Sequence, residues 1–285
     1  MRAPRFLICA IAGALPLALS ASIHAAVLYW DVNGATPGSG NAGGSWAGAN
    51  WTTDSSGASA TMGWVDGSDA VFSAGSDGTG AWTVDVAAAN RSVRNVLVQQ
   101  GVVTLGTNGS FALSNAANWS AAVGSSLTVA RAIANNGHDL SFFSGTNNGG
   151  SVVVRGVISG TGSLSVTGLG TLTLAAENTY EGTTTIDGGT VKLGHKFGIG
   201  KNVYEVSGTQ YAQARGFTLH NGTFDINGQY SYTPTGGPSN WLVLDTITFG
   251  GEAGAEMAMI DSGGGGGFGL FSRDSYVLHF LRKCS

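Results

Sequence analysis

The sequence predicts an all-β chain, and a right-handed parallel β-helix (β-solenoid) is the preferred architecture. Only 11% of the 285 residues are charged and 47 are glycine, far from the usual composition of a soluble protein. Glycine inside a strand costs about 0.5–1 kcal/mol relative to alanine, so most of these glycines are expected in turns. Between them lie short runs in which apolar and small polar residues alternate with a period of two, the pattern of half-buried strands. A β-sandwich is the alternative.

The N-terminal segment, 1–25, is typical of a secretory signal peptide. Arg2 and Arg5 form the positive n-region, and residues 6–20 form the apolar h-region. Small residues follow, so cleavage is expected after Ala25 or Ala26. An N-terminal membrane anchor is the alternative, but the apolar run is shorter than the ~18 residues that usually mark a spanning helix.

Export would leave an acidic chain without a disulfide. Removal of Arg2 and Arg5 leaves 11 basic and 17 acidic residues, a balance that disfavours nucleic acid or an anionic membrane surface as a partner. Cys9 lies in the signal segment, and Cys284 would then have no partner within the chain. The mature protein is therefore expected to depend on packing and on hydrogen-bonded ladders.

Residues 26–80 are interpreted as an N-terminal cap. The segment is rich in glycine, asparagine and serine, and most of the tryptophans lie in it or just after it. A stacked-repeat architecture must cover the apolar interior at its open end, and indole rings are suited to that task. A carbohydrate-stacking platform is the alternative. The tryptophans concerned are Trp30, Trp46, Trp51, Trp64 and Trp82.

Residues 81–260 are predicted to form the solenoid. Alternating runs follow one another at spacings too short for the crossover helices that usually join parallel strands. The breaks between them are longer than two-residue hairpin turns, which favours strands that stack turn upon turn. With ~20 residues per turn and ~4.8 Å between stacked strands, the rod would be about 40 Å long.

The block at residues 160–194 is the most regular part of the chain. It reads GTGSLSVTGLGTLTLAAENTYEGTTTIDGGTVKLG and resembles the autotransporter-associated β-strand repeat of bacterial passenger regions. The resemblance implies a surface β-solenoid whose repeat helps the passenger fold and move outward, and it implies no reaction. It depends on Gly162, Leu164, Gly168, Gly170, Leu172, Leu174, Asn178, Thr179, Tyr180, Gly182, Thr184, Gly189, Leu193 and Gly194.

Alternation within this block predicts the direction of its side chains. We expect Asn178 to satisfy backbone groups of a turn, Tyr180 to cover a corner with its hydroxyl in water, and Gly182 to need a positive φ. The threonines at 171, 173, 183 and 185 should face outward or line the corners. Predicted to point into the core are Leu164, Val166, Leu172, Leu174, Ile186, Val191 and Leu193.

Residues 261–285 change character, with a run of glycines followed by a short basic segment. The segment lacks the alternating ~10-residue strands of an outer-membrane barrel, so the translocator is expected to be absent from this chain. An interrupted reading frame of a longer protein is the preferred explanation, and a genuine short tail is the alternative.

No residue pattern predicts a catalytic, cofactor-binding or metal site. The histidines have no metal-ligand spacing, and the GxGxxG at residues 38–43 precedes no predicted helix. Asp66 and Asp69 could bind calcium, although such carboxylates more often bond to their own turn. Glu177 and Glu181 are the nearest approach to a paired carboxylate and are interpreted as a solvated corner.

The sequence therefore predicts a non-catalytic secreted or cell-surface passenger without cofactors. Surface glycans or host and cell-surface proteins are its expected partners, and no membrane span is expected after signal removal. A β-helix polysaccharide lyase or glycosidase, and a glycan-binding adhesin, remain as alternatives.

Overall fold

The computed structural model describes residues 26–87, 90–145, 148–200, 216–225 and 227 with their side chains, and the backbone of further strands as far as residue 278. The predicted signal peptide and residues 279–285 lie outside the described residues. In the described part the chain forms strands joined by turns and bends, with no helix. Accordingly, no helix in this part has the length and apolar character needed to cross a membrane.

The strands are short and evenly distributed. In the first two thirds of the chain they are β1 (Val27–Trp30), β2 (Gly44–Ser45), β3 (Trp51–Thr52), β4 (Asp69–Phe72), β5 (Ala81–Asp85), β6 (Arg91–Ser92), β7 (Val96–Val98), β8 (Val102–Gly106), β9 (Phe111–Ala112), β10 (Ala117–Ala121), β11 (Ser126–Val129), β12 (Ile133–Ala134), β13 (Leu140–Phe142), β14 (Ser151–Val154), β15 (Ile158–Gly160), β16 (Leu164–Val166), β17 (Thr171–Leu174), β18 (Thr179–Tyr180), β19 (Thr184–Asp187) and β20 (Thr190–Leu193). Then follow β21 (Asn202–Val206), β22 (Thr209–Ala214), β23 (Phe217–His220), β24 (Thr223–Asp225), β25 (Ser231–Thr233), β26 (Gly237–Asn240), β27 (Leu242–Leu244), β28 (Ile247–Gly250), β29 (Met259–Asp261), β30 (Leu270–Ser272) and β31 (Val277–Leu278).

Three parallel sheets run along the molecule. Sheet A has the order β3-β1-β4-β7-β10-β13-β16-β19-β23-β28, sheet B the order β2-β5-β8-β11-β14-β17-β20-β24-β29, and sheet C the order β6-β9-β12-β15-β18. From β4 to β18 consecutive strands lie in different sheets, so this part of the chain forms five turns of three strands each. The predicted parallel β-helix is confirmed, and the β-sandwich alternative is wrong.

Strand register stacks equivalent residues of successive turns. In sheet B, Ser126, Ser151, Thr171 and Thr190 pair in succession, so the turn that begins at Ser126 is longer than the two that follow it. The next residue of each strand is fully buried, and these residues pair in succession to form a column of core side chains, here called the sheet B core column. Its members are Val103, Leu127, Val152, Leu172 and Val191. The residues of the repeat block that were predicted to point inward are all buried.

Aromatic rings close the N-terminal end of the solenoid. Trp30, Trp46 and Trp51 are fully buried, with the rings of Trp30 and Trp51 5.1 Å apart edge to face. Trp46 also contacts Phe111 of the second turn at 5.5 Å. This burial agrees with the cap interpretation, and it excludes an exposed carbohydrate-stacking platform built from these three rings. The same segment already contributes β1 and β4 to sheet A.

Two expectations about the repeat need correction. Gly182 does not adopt a positive φ; its missing side chain lets the chain approach the backbone of Gly162, one turn earlier, because a β-carbon would overlap Gly162 and Ser163. Tyr180 is 2% exposed, and its hydroxyl is 2.7 Å from the Thr184 hydroxyl rather than in water. Burial raises the pKa of Tyr180, which keeps the hydroxyl protonated.

Candidate functional site

The outer face of sheet A carries a groove of about 290 Å³, here called the sheet A groove. Its floor is formed by Val71, Leu97 and Ser120, which pair in register on β4, β7 and β10. They lie on the face opposite the core because alternate residues of each strand point inward. Leu97 is half-buried there, whereas Val71 and Ser120 are buried at the bottom of the groove. Val27 on β1 lies at the N-terminal end of the groove. The groove thus crosses successive turns along the solenoid axis.

One side of the groove is a ladder of polar side chains, one per turn. Asp69 Oδ1 accepts a hydrogen bond from the backbone N–H of Asn95 at 3.1 Å. Asn95 Oδ1 accepts one from the backbone N–H of Asn118 at 2.8 Å, and Asn118 Oδ1 accepts one from that of Ser144 at 3.0 Å. Each side chain thereby satisfies a donor in the following turn, which fixes the register of the groove wall.

Ser144 and Asn148, which lie between β13 and β14, form the wall at the other end. Asn148 Nδ2 donates to the carbonyl oxygens of Phe143 at 3.2 Å and of Ser144 at 2.9 Å. Asn118 Nδ2 donates to the same Ser144 oxygen at 3.0 Å, so the ladder and this wall are joined. Phe143 precedes Ser144 and anchors this end of the groove, because its side chain is fully buried.

The charge of the groove is neutralised locally. Asp69 is the one charged residue among the described residues that line it. Arg94 binds both of its oxygens, with Nε and Nη2 each 2.7 Å from an oxygen, and this pairing raises the pKa of the guanidinium. In the described part of the chain, Asn95 Nδ2 and the Ser120 hydroxyl have no hydrogen-bond partner. These two groups can bind a neutral polar molecule.

A second polar cluster lies in the cap. Asp31 is fully buried; its Oδ1 accepts from the Asn33 backbone N–H at 3.0 Å, and its Oδ2 has no partner among the described residues. Burial is the main cause that raises the pKa of Asp31, and the charges of Asp77 and Asp54 add to it. Residues 26–90 contain no lysine, arginine or histidine.

Asp54 and Asp77, the two carboxylates whose charges act on Asp31, are stabilised in their charged forms. Hydrogen bonds from the Ser56 hydroxyl and backbone, and from Ser59, lower the pKa of Asp54 to about 2. Burial opposes ionisation of Asp77, but hydrogen bonds from Ser39 and Gly40 outweigh it and lower the pKa. Asp31 therefore lies beside two permanent negative charges near neutral pH.

The residues of the predicted repeat motif lie outside the sheet A groove. They follow it along the chain, and apart from the exposed Thr179 they fill the core or allow close backbone approach. Asn178 is fully buried and joins two turns: its Oδ1 accepts from the Ile158 N–H at 2.8 Å, and its Nδ2 donates to the Gly198 carbonyl at 2.5 Å. This confirms that it satisfies backbone groups.

The other candidate residues do not converge. Asp66 accepts from the Trp64 indole at 3.0 Å, while Arg94 occupies both oxygens of Asp69, so the calcium hypothesis for this pair is not supported. Glu181 is exposed beside β18. Among the described residues, no group of three histidine, cysteine, aspartate or glutamate side chains could hold a metal ion.

Sequence reasoning missed the asparagine ladder. Asn95 and Asn118 are separated by close to one turn of the solenoid, and each stands just before or within an alternating run. That spacing was available in the sequence, but turn length varies too much for single asparagines to be aligned without the structure. The buried Asp31 carried no distinguishing signal.

Comparison with protein-family models, with curated proteins and with solved structures gave no match. The resemblance to the autotransporter-associated repeat therefore rests on the residues of the block at 160–194. The geometry of the molecule shows a β-solenoid, a closed N-terminal cap and a neutral groove on sheet A.

Proposed function

We propose that the chain is a secreted or cell-surface passenger of autotransporter type, without catalytic activity, and that its repeat assists folding and export. The basic and apolar residues of the segment 1–25 support export. The repeat-like block at residues 160–194 supports the passenger assignment. The β-solenoid fold agrees with both.

The observation that carries this proposal is the in-register stacking of successive turns. Every strand from β7 to β20 pairs in parallel with its equivalent one turn earlier. A completed turn therefore presents a row of free backbone groups on which the next strand can align. Pairing buries side chains such as Leu172 and Leu174, and the free energy released biases an emerging chain against sliding back.

We propose that the chain has no catalytic activity because the residues of the repeat have structural roles. Asn178 joins two turns, Tyr180 bonds to Thr184 inside the core, and Gly170 makes room for Phe143. Glu177 and Glu181 flank Asn178 and Tyr180 in the chain. Turnover of pectin-like or other glycans by the purified chain, abolished by Glu177→Gln or Glu181→Gln, would contradict the proposal.

Export can be tested by expressing residues 1–285 in a Gram-negative bacterium and sequencing the N-terminus of material outside the inner membrane. The mature chain should begin near Ala26 or Val27. Exported material that still contains Arg2 and Arg5 would show that the segment is not a cleaved signal.

The role of the repeat can be tested by joining residues 1–285 to an autotransporter barrel and measuring protease accessibility at the cell surface. Leu172→Ala should reduce surface exposure severalfold because it weakens the stacked core, whereas Thr173→Ala on the outer face should leave it unchanged. Equal surface exposure of both variants would argue against folding-assisted export.

A further inference from the structure

We propose that the sheet A groove binds an uncharged oligosaccharide that lies along the solenoid axis and is held by side-chain amide and hydroxyl groups. The groove shares no residue with the repeat block. This inference therefore goes beyond the proposed passenger role and does not depend on the route of export.

The backbone of the groove floor is unavailable for ligand binding. β4, β7 and β10 are each paired with a strand on both sides. A peptide that adds a strand to a sheet needs an unpaired edge, which these central strands do not offer. Recognition at the groove must therefore use side chains.

The charge distribution selects a neutral ligand. The Asp69 carboxylate is bound by Arg94 through two 2.7 Å hydrogen bonds, and the other described lining residues are uncharged. None of the described lining side chains offers an anionic polymer a free cation, although the amino group of a mature chain that begins at Ala26 or Val27 would lie at the N-terminal end of the groove. A cationic ligand would have to displace Arg94 from Asp69. Breaking the Asp69–Arg94 pair to bind either kind of charged ligand would be unfavourable, because the two bidentate hydrogen bonds would be lost.

The remaining chemistry matches a sugar chain. The half-buried Leu97 provides most of the accessible apolar floor, because Val71 is only 7% exposed. Asn95 Nδ2 and the hydroxyl of Ser120, a residue that is 3% exposed, have no hydrogen-bond partner among the described groups. Sugar rings present apolar C–H faces together with hydroxyl groups that both donate and accept. Four strands ~4.8 Å apart give the groove a length of about 15 Å, which suits a short linear chain of sugar units.

The experiment is affinity electrophoresis of the exported, folded chain in native gels that contain galactomannan, xyloglucan, mixed-linkage glucan or dextran. Polygalacturonate serves as the anionic comparison. Leu97→Glu places a charge on the groove floor, and Val27→Glu places one at its exposed end. Matched controls are Thr104→Glu and Val102→Glu, which add the same charge to the outer face of sheet B at comparable exposure.

At least one neutral polysaccharide should retard the wild-type chain, with weaker or no retardation by polygalacturonate. Leu97→Glu should weaken binding tenfold or more and Val27→Glu about threefold, while both controls bind like wild type. Val27 is 41% exposed, so its variant tests the groove even if Leu97→Glu misfolds. Lack of retardation by every neutral polysaccharide, retardation by polygalacturonate alone, or equal effects of groove and control variants would overturn the proposal.

Discussion

The ring of Phe143 occupies the space that a β-carbon at position 170 would need. A β-carbon built on Gly170 would lie 2.5 Å from Cδ1 and 2.6 Å from Cζ of that ring. Phe143 is fully buried and has a φ of 57°, an unusual conformation for an aromatic residue. Gly168 approaches the same residue. Two glycines of the repeat are thus explained by one residue of the preceding turn, Gly170 by the ring of Phe143 and Gly168 chiefly by its backbone carbonyl.

Gly170→Ala should destabilise the chain by about 1–3 kcal/mol, the usual cost of overpacking a core. In a Phe143→Ala background, the same change should cost well under ~1 kcal/mol because the ring is gone. Denaturant midpoints of the four chains of this cycle provide the measurement.

Gly63→Ala is the matched control for that cycle. Gly63 has no atom within 4 Å of its missing β-carbon and no positive φ, so this change should be neutral. If Gly170→Ala lowers the free energy of unfolding equally with and without the Phe143 ring, contact with that ring is not the reason that position 170 requires glycine.

Leu172→Ala should cost about 2–5 kcal/mol, because Leu172 is fully buried in the sheet B core column. Thr173→Ala, the next residue on the same strand, should cost under ~1 kcal/mol because its side chain faces outward. Chemical unfolding of both variants measures the difference. Similar small effects would mean that the strand register is wrong.

Asn178→Leu should cost about 2–4 kcal/mol. The change leaves the Ile158 N–H and the Gly198 carbonyl without their partner in a buried position, and each such loss costs ~1–3 kcal/mol. Thr179→Ala is the control, since Thr179 is exposed and its loss should lie within ~0.5 kcal/mol. Thermal melting that ranks the two variants alike would contradict the bridging role of Asn178.

Asp31→Asn should raise the melting temperature near neutral pH and leave it unchanged near pH 3. The pKa of Asp31 is raised above 3.8, so its neutral form is favoured in the folded state and its contribution to stability is lost as the pH rises through the folded pKa. Asparagine keeps the shape without the charge. The quantity to measure is the difference in melting temperature between variant and wild type from about pH 3 to pH 7.

Asp54 provides the control for this pH series. Its pKa is lowered to about 2, so its contribution is present at neutral pH and lost only in strong acid, opposite in sign to that of Asp31. Asp54→Asn should therefore not stabilise the chain at pH 7. A lower melting temperature for Asp31→Asn than for wild type at pH 7 would show that the Asp31 charge is compensated.

Much of the fold could be predicted because strand alternation is a local property. Leu172 and Thr173 point to opposite sides wherever the strand lies, since successive side chains leave opposite faces. The same local reasoning identified Asn178 as a residue that satisfies backbone groups, but its burial between two turns is shown only by the structure. It did not find the groove, because Asn95 and Asn118 become neighbours only once the length of the intervening turn is known.

The sequence by itself thus determined the class of structure, the inward and outward faces of its strands, and the need for a cap over the open end. Tertiary structure alone decided that Trp30 and Trp51 are buried against each other, that Tyr180 bonds to Thr184, and that Gly182 serves close approach rather than a positive φ. The physical reason is that successive turns of the solenoid differ in length. Contacts between turns depend on that variable length, whereas the direction of a side chain depends only on its own strand.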